Sequence, residues 1–157
     1  MSTPTAAVAD TARPASLLLW RLLALLYDFF PALALWMLVG ALFTAGYATG
    51  HAARENIAPF SALQWVLWAC CWVVTGVYAV ESWRRGGQTL GMRPWRLQVV
   101  GADGTAPTRK QLWLRYAVGT VSVLLGGLGL WWALIDRQRL AWHDRMSDTR
   151  MQRLPKR

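Results

Sequence analysis

Apolar residues in this chain fall into three long blocks that are separated by polar, charge-rich stretches. The first block runs from about residue 17 to 43, the second from 60 to 80 and the third from 116 to 135. The second block contains no formally charged residue, and about 20 apolar residues are enough for a helix to cross a bilayer. The pattern predicts an all-α transmembrane fold with two clear spans and a third helical segment that glycines interrupt.

The third segment leaves two topologies open. Gly126, Gly127 and Gly129 divide it into two parts that are each short for a full span. Cytoplasmic loops are rich in Lys and Arg, yet the loop before this segment and the tail after it are both basic. Either the segment crosses the membrane and violates the charge rule once, or it bends at the glycines and returns. We favour the bend, and an ordinary span that tolerates glycine is the alternative.

The loop of residues 81–115 has local structure of its own. It carries seven basic and two acidic residues. Residues 96–100 alternate briefly between polar and apolar side chains, and residues 101–104 form a turn sequence, so a short surface strand or hairpin is expected. Thr108 and Gln111 have the spacing of a capping box, which predicts the start of a helix.

The chain divides into a polar N-terminal tail of residues 1–16, a membrane domain of residues 17–149 and a basic C-terminal tail of residues 150–157. A content of 55% hydrophobic residues is too high for an ordinary soluble domain. The formal net charge of +9 comes from Lys and Arg residues that flank the apolar blocks. This placement favours anionic lipid headgroups over nucleic acid as the partner.

No pattern in the sequence predicts a metal, a cofactor or catalysis. Cys70 and Cys71 are adjacent inside an apolar block, and metal ligands need other residues at defined spacing. Nucleotide-binding loops, paired carboxylates and Ser-His-Asp arrangements are not found. We therefore expect a protein that is not an enzyme.

Asp28 is the one acidic residue in the first block. If the span begins near Leu17, the helical rise of 1.5 Å per residue puts Asp28 roughly 16 Å deep, close to the midplane. A carboxylate at that depth costs about 2.5–3.5 kcal/mol, so it should face protein, water or an ion. Pro31 removes the hydrogen bond that the Tyr27 carbonyl would accept, which leaves a free carbonyl beside the carboxylate. We expect a cation or proton site here, and a packing role in a helix contact is the alternative.

Arg21 precedes Asp28 by two helical turns, too far for a direct pair within one helix. It is expected to extend to the membrane interface, where it holds a phosphate headgroup or an acidic residue of the tail. In the basic segment that follows the third block, residues 136–157, Asp136, His143 and Asp144 lie close in sequence. They could relay protons near neutral pH, but a solvated surface cluster is the interpretation we favour.

These motifs resemble the RDD family of small bacterial membrane proteins, named after one arginine and two aspartates. Arg21 and Asp28, in RLLALLYD, match the first pair, and Asp144 fits the second aspartate better than Asp136 does. A later block of the family is similar to GQTLGMRPWRLQVVGADGT, from Gly87 to Thr105. The closing block is similar to LWWALIDRQRLAWHDRMSDT, residues 130–149. The resemblance implies a fold and a place in the bacterial inner membrane; the family's role is mostly unassigned, although some members are linked to sodium–proton exchange.

Two functions follow as hypotheses. In the first, the chain belongs to a cation or proton transport system with Asp28 as the ion site, and it needs a homo-oligomer or a partner membrane protein, because three spans cannot enclose a pathway. In the second, it is a non-transporting scaffold that binds anionic lipids or partner proteins through its basic loop and tail. The basic residues expected to make those contacts are Arg84, Arg85, Arg109 and Lys110. In both, the protein is multi-pass in the inner membrane, with its N-terminus in the cytoplasm.

Overall fold

A computed structural model describes residues 17–48 and 58–155. The polar N-terminal tail predicted for residues 1–16 lies outside the described residues, as does the end of the C-terminal tail. Helix α1, Leu18–Ala48, and helix α2, Ala62–Gly86, form an antiparallel pair, because Asp28 contacts Tyr78 whereas the later Trp36 contacts the earlier Thr75. Residues 109–124 pack along α2, where Tyr116 and Thr120 contact Trp72, and the two strands lie at one end of this pair.

Helix α1, Leu18–Ala48, contains the first apolar block and continues beyond the predicted end at Phe43. It passes Gly40 without a break, and the Thr44 hydroxyl donates a hydrogen bond to the Gly40 carbonyl at 2.9 Å. An interior glycine costs about 1 kcal/mol in water, but a helix in lipid must keep its backbone groups paired internally. The end of the first block near residue 43 was therefore predicted about five residues too early.

Helix α2, Ala62–Gly86, contains the second apolar block. Its N-cap is Ser61, whose side chain accepts a hydrogen bond from the Gln64 amide at 3.3 Å. It ends at Gly87, which has the positive φ of 69° that favours glycine. The helix therefore runs beyond the predicted end of the block at Val80 and carries charged residues in its last turn.

Helix α3, Arg109–Leu124, begins where the capping box was predicted. Thr108 accepts a hydrogen bond from the Gln111 amide, and the Gln111 side chain accepts one from the Thr108 amide at 2.9 Å. This confirms the start of the helix before the third apolar segment. The segment itself is broken shortly afterwards.

The break separates α3 from helix α4, Leu128–Ile135, and the two helices meet at a bend of 97°. Gly126 and Gly127 have φ values of 71° and 79°, in the left-handed region that side chains disfavour. Gly129 allows α4 to approach α3, because a Cβ there would lie 2.5 Å from the Ser122 hydroxyl. The predicted bend at the glycines is confirmed. Within the described ranges, α1 and α2 are the two helices long and apolar enough to cross a membrane.

A two-stranded antiparallel sheet joins the basic loop to the tail. Strand β1, Leu97–Gly101, confirms the strand predicted at residues 96–100. Its partner is β2, Thr149–Arg153, in the tail, and not a neighbouring segment of the loop as a hairpin would require. The short helix α5, Trp142–Met146, lies between α4 and β2. The two ends of the bent α3–α4 pair are therefore held side by side.

We call residues 87–108 and 136–155 the polar cap; they include β1, α5 and β2. The main core lies where the cap meets the first turns of α1, the end of α2 and the start of α3. Its buried members are Ala24, Val80, Met92, Leu97, Val99 and Leu112. In contrast, the part of α1 after Asp28 exposes large apolar side chains, such as Phe30 at 64% and Met37 at 69%. This division places packing at the cap end and leaves an apolar surface on the rest of the helix pair.

Candidate functional site

A buried ionic cluster joins α1, α3 and α5 in the core at the cap end. Arg21 Nη1 lies 2.6 Å from Asp144 Oδ2, and Arg115 Nη1 donates to Asp144 Oδ1 at 2.5 Å. The Arg21 contact is an ion pair without the alignment of a hydrogen bond. All three side chains are at most 5% exposed. Asp144 is thus the carboxylate that two separate helices share.

Short polar side chains complete this cluster. Arg115 Nη1 also donates to the Thr149 hydroxyl at 2.7 Å, and the Ser147 and Thr149 hydroxyls are 2.7 Å apart. The Ala141 amide donates to Asp144 Oδ2 at 3.0 Å, so the carboxylate also stabilises the first turn of α5. Removal of Asp144 would leave both cations and this turn without their acceptor.

The pKa values in the cluster follow from burial and charge. Burial alone raises the pKa of Asp144, but the guanidiniums of Arg115 and Arg21 outweigh this effect and hold the pKa well below its usual range. Burial lowers the pKa of His143 to about 3, and the two arginines act in the same direction. Asp144 is therefore ionised and His143 neutral at pH 7.

Two guanidiniums face one carboxylate, so the cluster keeps one surplus positive charge. The Trp83 ring offsets part of it, since the Arg115 guanidinium lies 5.5 Å from the ring centroid. Among the described residues, Arg21 Nε has no hydrogen-bond partner. The cluster is an interior structural element, because water does not reach its charged atoms.

A second polar site surrounds Asp28, where the GQTLG segment of the cap crosses α1. Asp28 Oδ1 accepts hydrogen bonds from the Tyr78 hydroxyl at 3.1 Å and the Gly91 amide at 2.9 Å. Oδ2 accepts one from the Thr89 hydroxyl. Tyr78 in turn accepts from the Leu90 amide at 3.1 Å. Asp28 therefore attaches the segment after α2 to the side of α1.

Gly91 is required for this close approach. A Cβ at Gly91 would lie 2.6 Å from the Asp28 amide nitrogen and 2.7 Å from its carboxylate carbon. Tyr27, beside Asp28, is half exposed, and its ring meets the Trp95 ring edge-on with centroids 5.7 Å apart. Helix α1 continues through Pro31, which has no amide to offer the Tyr27 carbonyl.

The basic residues predicted to contact lipid or partners surround one carboxylate at the end of α2. Glu81 lies 2.9 Å from Arg109, 3.4 Å from Arg84 and 3.7 Å from Arg85. The three arginine side chains are between 47% and 79% exposed. Lys110 is exposed as well. One carboxylate among three guanidiniums leaves two surplus positive charges on the surface.

The structure brings together some of the predicted residues and separates others. Of the two partners expected for Arg21, a phosphate headgroup or an acidic residue after the third block, the acidic residue Asp144 lies beside it. The favoured interpretation of His143 and Asp144 as a solvated surface cluster was wrong, because they are 8% and 1% exposed. Asp136 lies apart from them and pairs with Arg145 at 2.8 Å. Asp28 belongs to the separate site on the GQTLG segment.

Sequence reasoning missed the partners that complete each site. Arg115 is the second cation of the buried cluster, and a signal existed: it is a charged residue placed directly before the third apolar block. Tyr78 and Thr89 donate hydrogen bonds to the Asp28 carboxylate. Thr89 lies in the GQTLG segment, whose resemblance to a family block gave no role for its individual residues. Their pairing depends on contacts between distant segments that no local pattern reveals.

In the ranges 17–48 and 58–155, no group of three or more His, Cys, Asp or Glu side chains has a geometry that could hold a metal ion. Comparison with curated proteins and with solved structures returned no significant match. A family model does match: the one described as RDD family covers residues 15–148, most of the chain, and includes Arg21, Asp28 and Asp144. The chain therefore belongs to the RDD family.

Proposed function

We propose that this protein is a membrane scaffold that holds a folded, basic cap at the bilayer surface and binds anionic lipid headgroups through it. The observation that carries the proposal is the group of exposed guanidiniums of Arg84, Arg85 and Arg109 around Glu81, with its surplus positive charge. Basic residues next to a membrane-crossing helix attract anionic lipids by about 1 kcal/mol each.

The length of α1 supports a position at the membrane surface for the basic residues around Glu81. The part of α1 from Phe29 to Ala48 covers about 30 Å, the thickness of the hydrocarbon core. The part before it packs against the polar cap, with Arg21 and Ala24 buried. The membrane boundary on this side then falls near Asp28 and not ten residues earlier. This moves Asp28 from the midplane to the edge of the bilayer.

The environment of Asp28 also favours a scaffold over an ion carrier. Within the described part of the chain, three donors already bond its carboxylate, which leaves little room for a cation. These bonds join two segments of the same chain, so a binding and release cycle would loosen the cap. Cation transport stays a separate hypothesis that flux measurements distinguish.

The test is the lipid composition that surrounds the purified protein. Wild-type protein is reconstituted in vesicles with equal parts of phosphatidylglycerol and phosphatidylcholine, extracted in mild detergent and analysed for retained lipid. We expect enrichment of phosphatidylglycerol that high salt weakens. The variant Arg84→Gln/Arg85→Gln/Arg109→Gln/Lys110→Gln should lose most of this enrichment while keeping its helical circular dichroism spectrum.

A flux assay on the same vesicles separates the two functions. We expect vesicles with wild-type protein to exchange sodium for protons no faster than empty vesicles. Exchange that wild type performs and Asp28→Asn abolishes would establish transport and reject the scaffold proposal. Equal retention of both lipids by wild type would also reject it.

A further inference from the structure

A cleft opens at the cap end of α2, between this helix and the segment that follows it. Its volume is about 420 Å³. The residues that line it on the helix are Val77, Tyr78, Glu81, Ser82, Arg85 and Gly86, and those on the segment are Gln88, Leu90 and Arg93. The cleft therefore has cationic, hydrogen-bonding and apolar walls.

We propose that this cleft binds the phosphate headgroup of one anionic phospholipid, with Arg85 and Arg93 as the phosphate ligands. The inference rests on the proposed function and assigns a specific site to it. Guanidinium groups bind phosphate oxygens through paired charge-assisted hydrogen bonds. Ser82 and Gln88 offer further donors for headgroup oxygens.

Arg93 is the cleft arginine whose charge is least compensated by neighbouring carboxylates. In the described part of the chain, no carboxylate lies within ion-pair distance of it. Arg85 has a single long contact, 3.7 Å to Glu81, and its side chain is 79% exposed. Both guanidiniums therefore face the cleft with their hydrogen-bonding capacity largely unused.

Glu81 is the one acidic residue among the cleft walls, and its charge is already compensated. Its Oε1 lies 2.9 Å from Arg109, and its Oε2 lies 3.4 Å from Arg84. The field that a phosphate meets in the cleft is therefore that of the arginines. The hydroxyl of Tyr78 is not available to donate a hydrogen bond to the phosphate, because it already donates to Asp28.

The depth and the apolar wall favour a lipid over a free phosphate. The cleft contains Tyr78, which bonds Asp28, so it lies at the level where the span of α1 begins. Val77 is 48% exposed and Leu90 is 53% exposed, and both line the cleft. A free anion would leave these apolar side chains exposed, whereas the first acyl carbons of a lipid would cover them.

Native mass spectrometry of the detergent-solubilised full chain, titrated with phosphatidylglycerol, tests the site. We expect one tightly held lipid on wild type, with affinity reduced about tenfold in Arg93→Gln and further in Arg85→Gln/Arg93→Gln. The matched control is Arg137→Gln, which removes an equal charge from an exposed position outside both the cleft and the basic group around Glu81, and it should stay within twofold of wild type. Arg93 makes no ion pair with residues 17–48 or 58–155, so its variant should keep the wild-type melting temperature.

Each other outcome overturns a defined part of the inference. An unchanged affinity in Arg93→Gln would reject the cleft as the site, although retained enrichment of phosphatidylglycerol would leave the scaffold function intact. Equal binding of phosphatidylcholine and phosphatidylglycerol by wild type would reject both. Displacement of the lipid by millimolar inorganic phosphate or glycerol phosphate would assign the cleft to a free anion and reject the lipid.

Discussion

The guanidinium of Arg21, near the start of the first helix, lies 2.6 Å from the carboxylate of Asp144, near the end of the chain. Asp144 also accepts a hydrogen bond from Arg115 in the third helix. Arg21 and Asp144, both within the residues that the family model matches, thus meet inside one molecule. They join three helices that are remote in sequence, and this gives them a structural role that needs no bound ligand.

Removal of the shared carboxylate should destabilise the protein strongly. In Asp144→Asn, two buried guanidiniums would lose their counter-ion, and breaking a buried pair in this way costs about 3–5 kcal/mol. The free energy of unfolding in detergent, followed by circular dichroism, measures the effect. The matched control is Asp148→Asn, at an exposed position whose positive φ of 48° asparagine tolerates. Equal stability of the two variants would show that the cluster is dispensable.

Stability should fall as the pH is lowered below about 6.5. The pKa of His143 is lowered to about 3 in the folded state, so between these values the unfolded chain binds a proton that the folded chain does not. Stability is then fully present above pH 6.5 and decreases by up to about 1.4 kcal/mol per pH unit down to pH 3. Asp144, whose pKa is also depressed, adds to the loss below about pH 4.

The variant His143→Asn identifies the source of this dependence. It removes the titrating group, so the slope between pH 6.5 and 4.5 should become flatter while the loss in more acidic solution persists. The measurement is the melting temperature across this pH range in one detergent. An identical slope in wild type and variant would assign the proton to another group.

Gly91→Ala should loosen the GQTLG segment from α1. The added Cβ would meet the Asp28 backbone nitrogen at 2.6 Å, and overpacking of this kind costs about 1–3 kcal/mol. Gly86→Ala is the matched control, since no atom lies within 4 Å of its Cβ position and alanine favours the helix. We expect Gly91→Ala to melt lower and to lose protection from proteolysis after α2, whereas Gly86→Ala should match or exceed wild type. Similar behaviour of both variants would contradict the contact.

The pairing of β1 with β2 predicts that both ends of the α3–α4 pair lie on the same side of the membrane. In a chain with Cys70 and Cys71 replaced by serine, single cysteines at Ala102 and Gln138 should react with an impermeant maleimide from one common side. Ala58, between α1 and α2, should react from the opposite side. Labelling of Ala102 and Gln138 from opposite sides would show that the third segment crosses the membrane.

Periodicity and composition predicted the helices, because long apolar blocks depend on local chemistry alone. The two spans, the capping box at Thr108 and the bend at Gly126 were all readable from the sequence. The end of α1 was not, since a membrane helix keeps its backbone paired through glycines that would weaken a helix in water. Local rules thus predict which segments are helical better than where they end.

The second strand shows what local rules miss. The segment TRMQR has no apolar alternation, and its burial is limited to Thr149 and, in part, Met151. It becomes a strand because β1 offers it a free edge, which is a contact between distant segments. The burial of His143 was not predicted for the same reason. A segment rich in charged residues is expected to be solvated, and its burial depends on contacts with the distant Arg21 and Arg115.

The order of the chain has a consequence for how the protein is made. Arg21 and Arg115 are both synthesised before Asp144. Strand β1 likewise lacks its pairing partner until β2 has been synthesised. The two arginines therefore have no counter-ion from Asp144 until that residue has been synthesised, and the pairing of β1 with β2 requires residues 149–153.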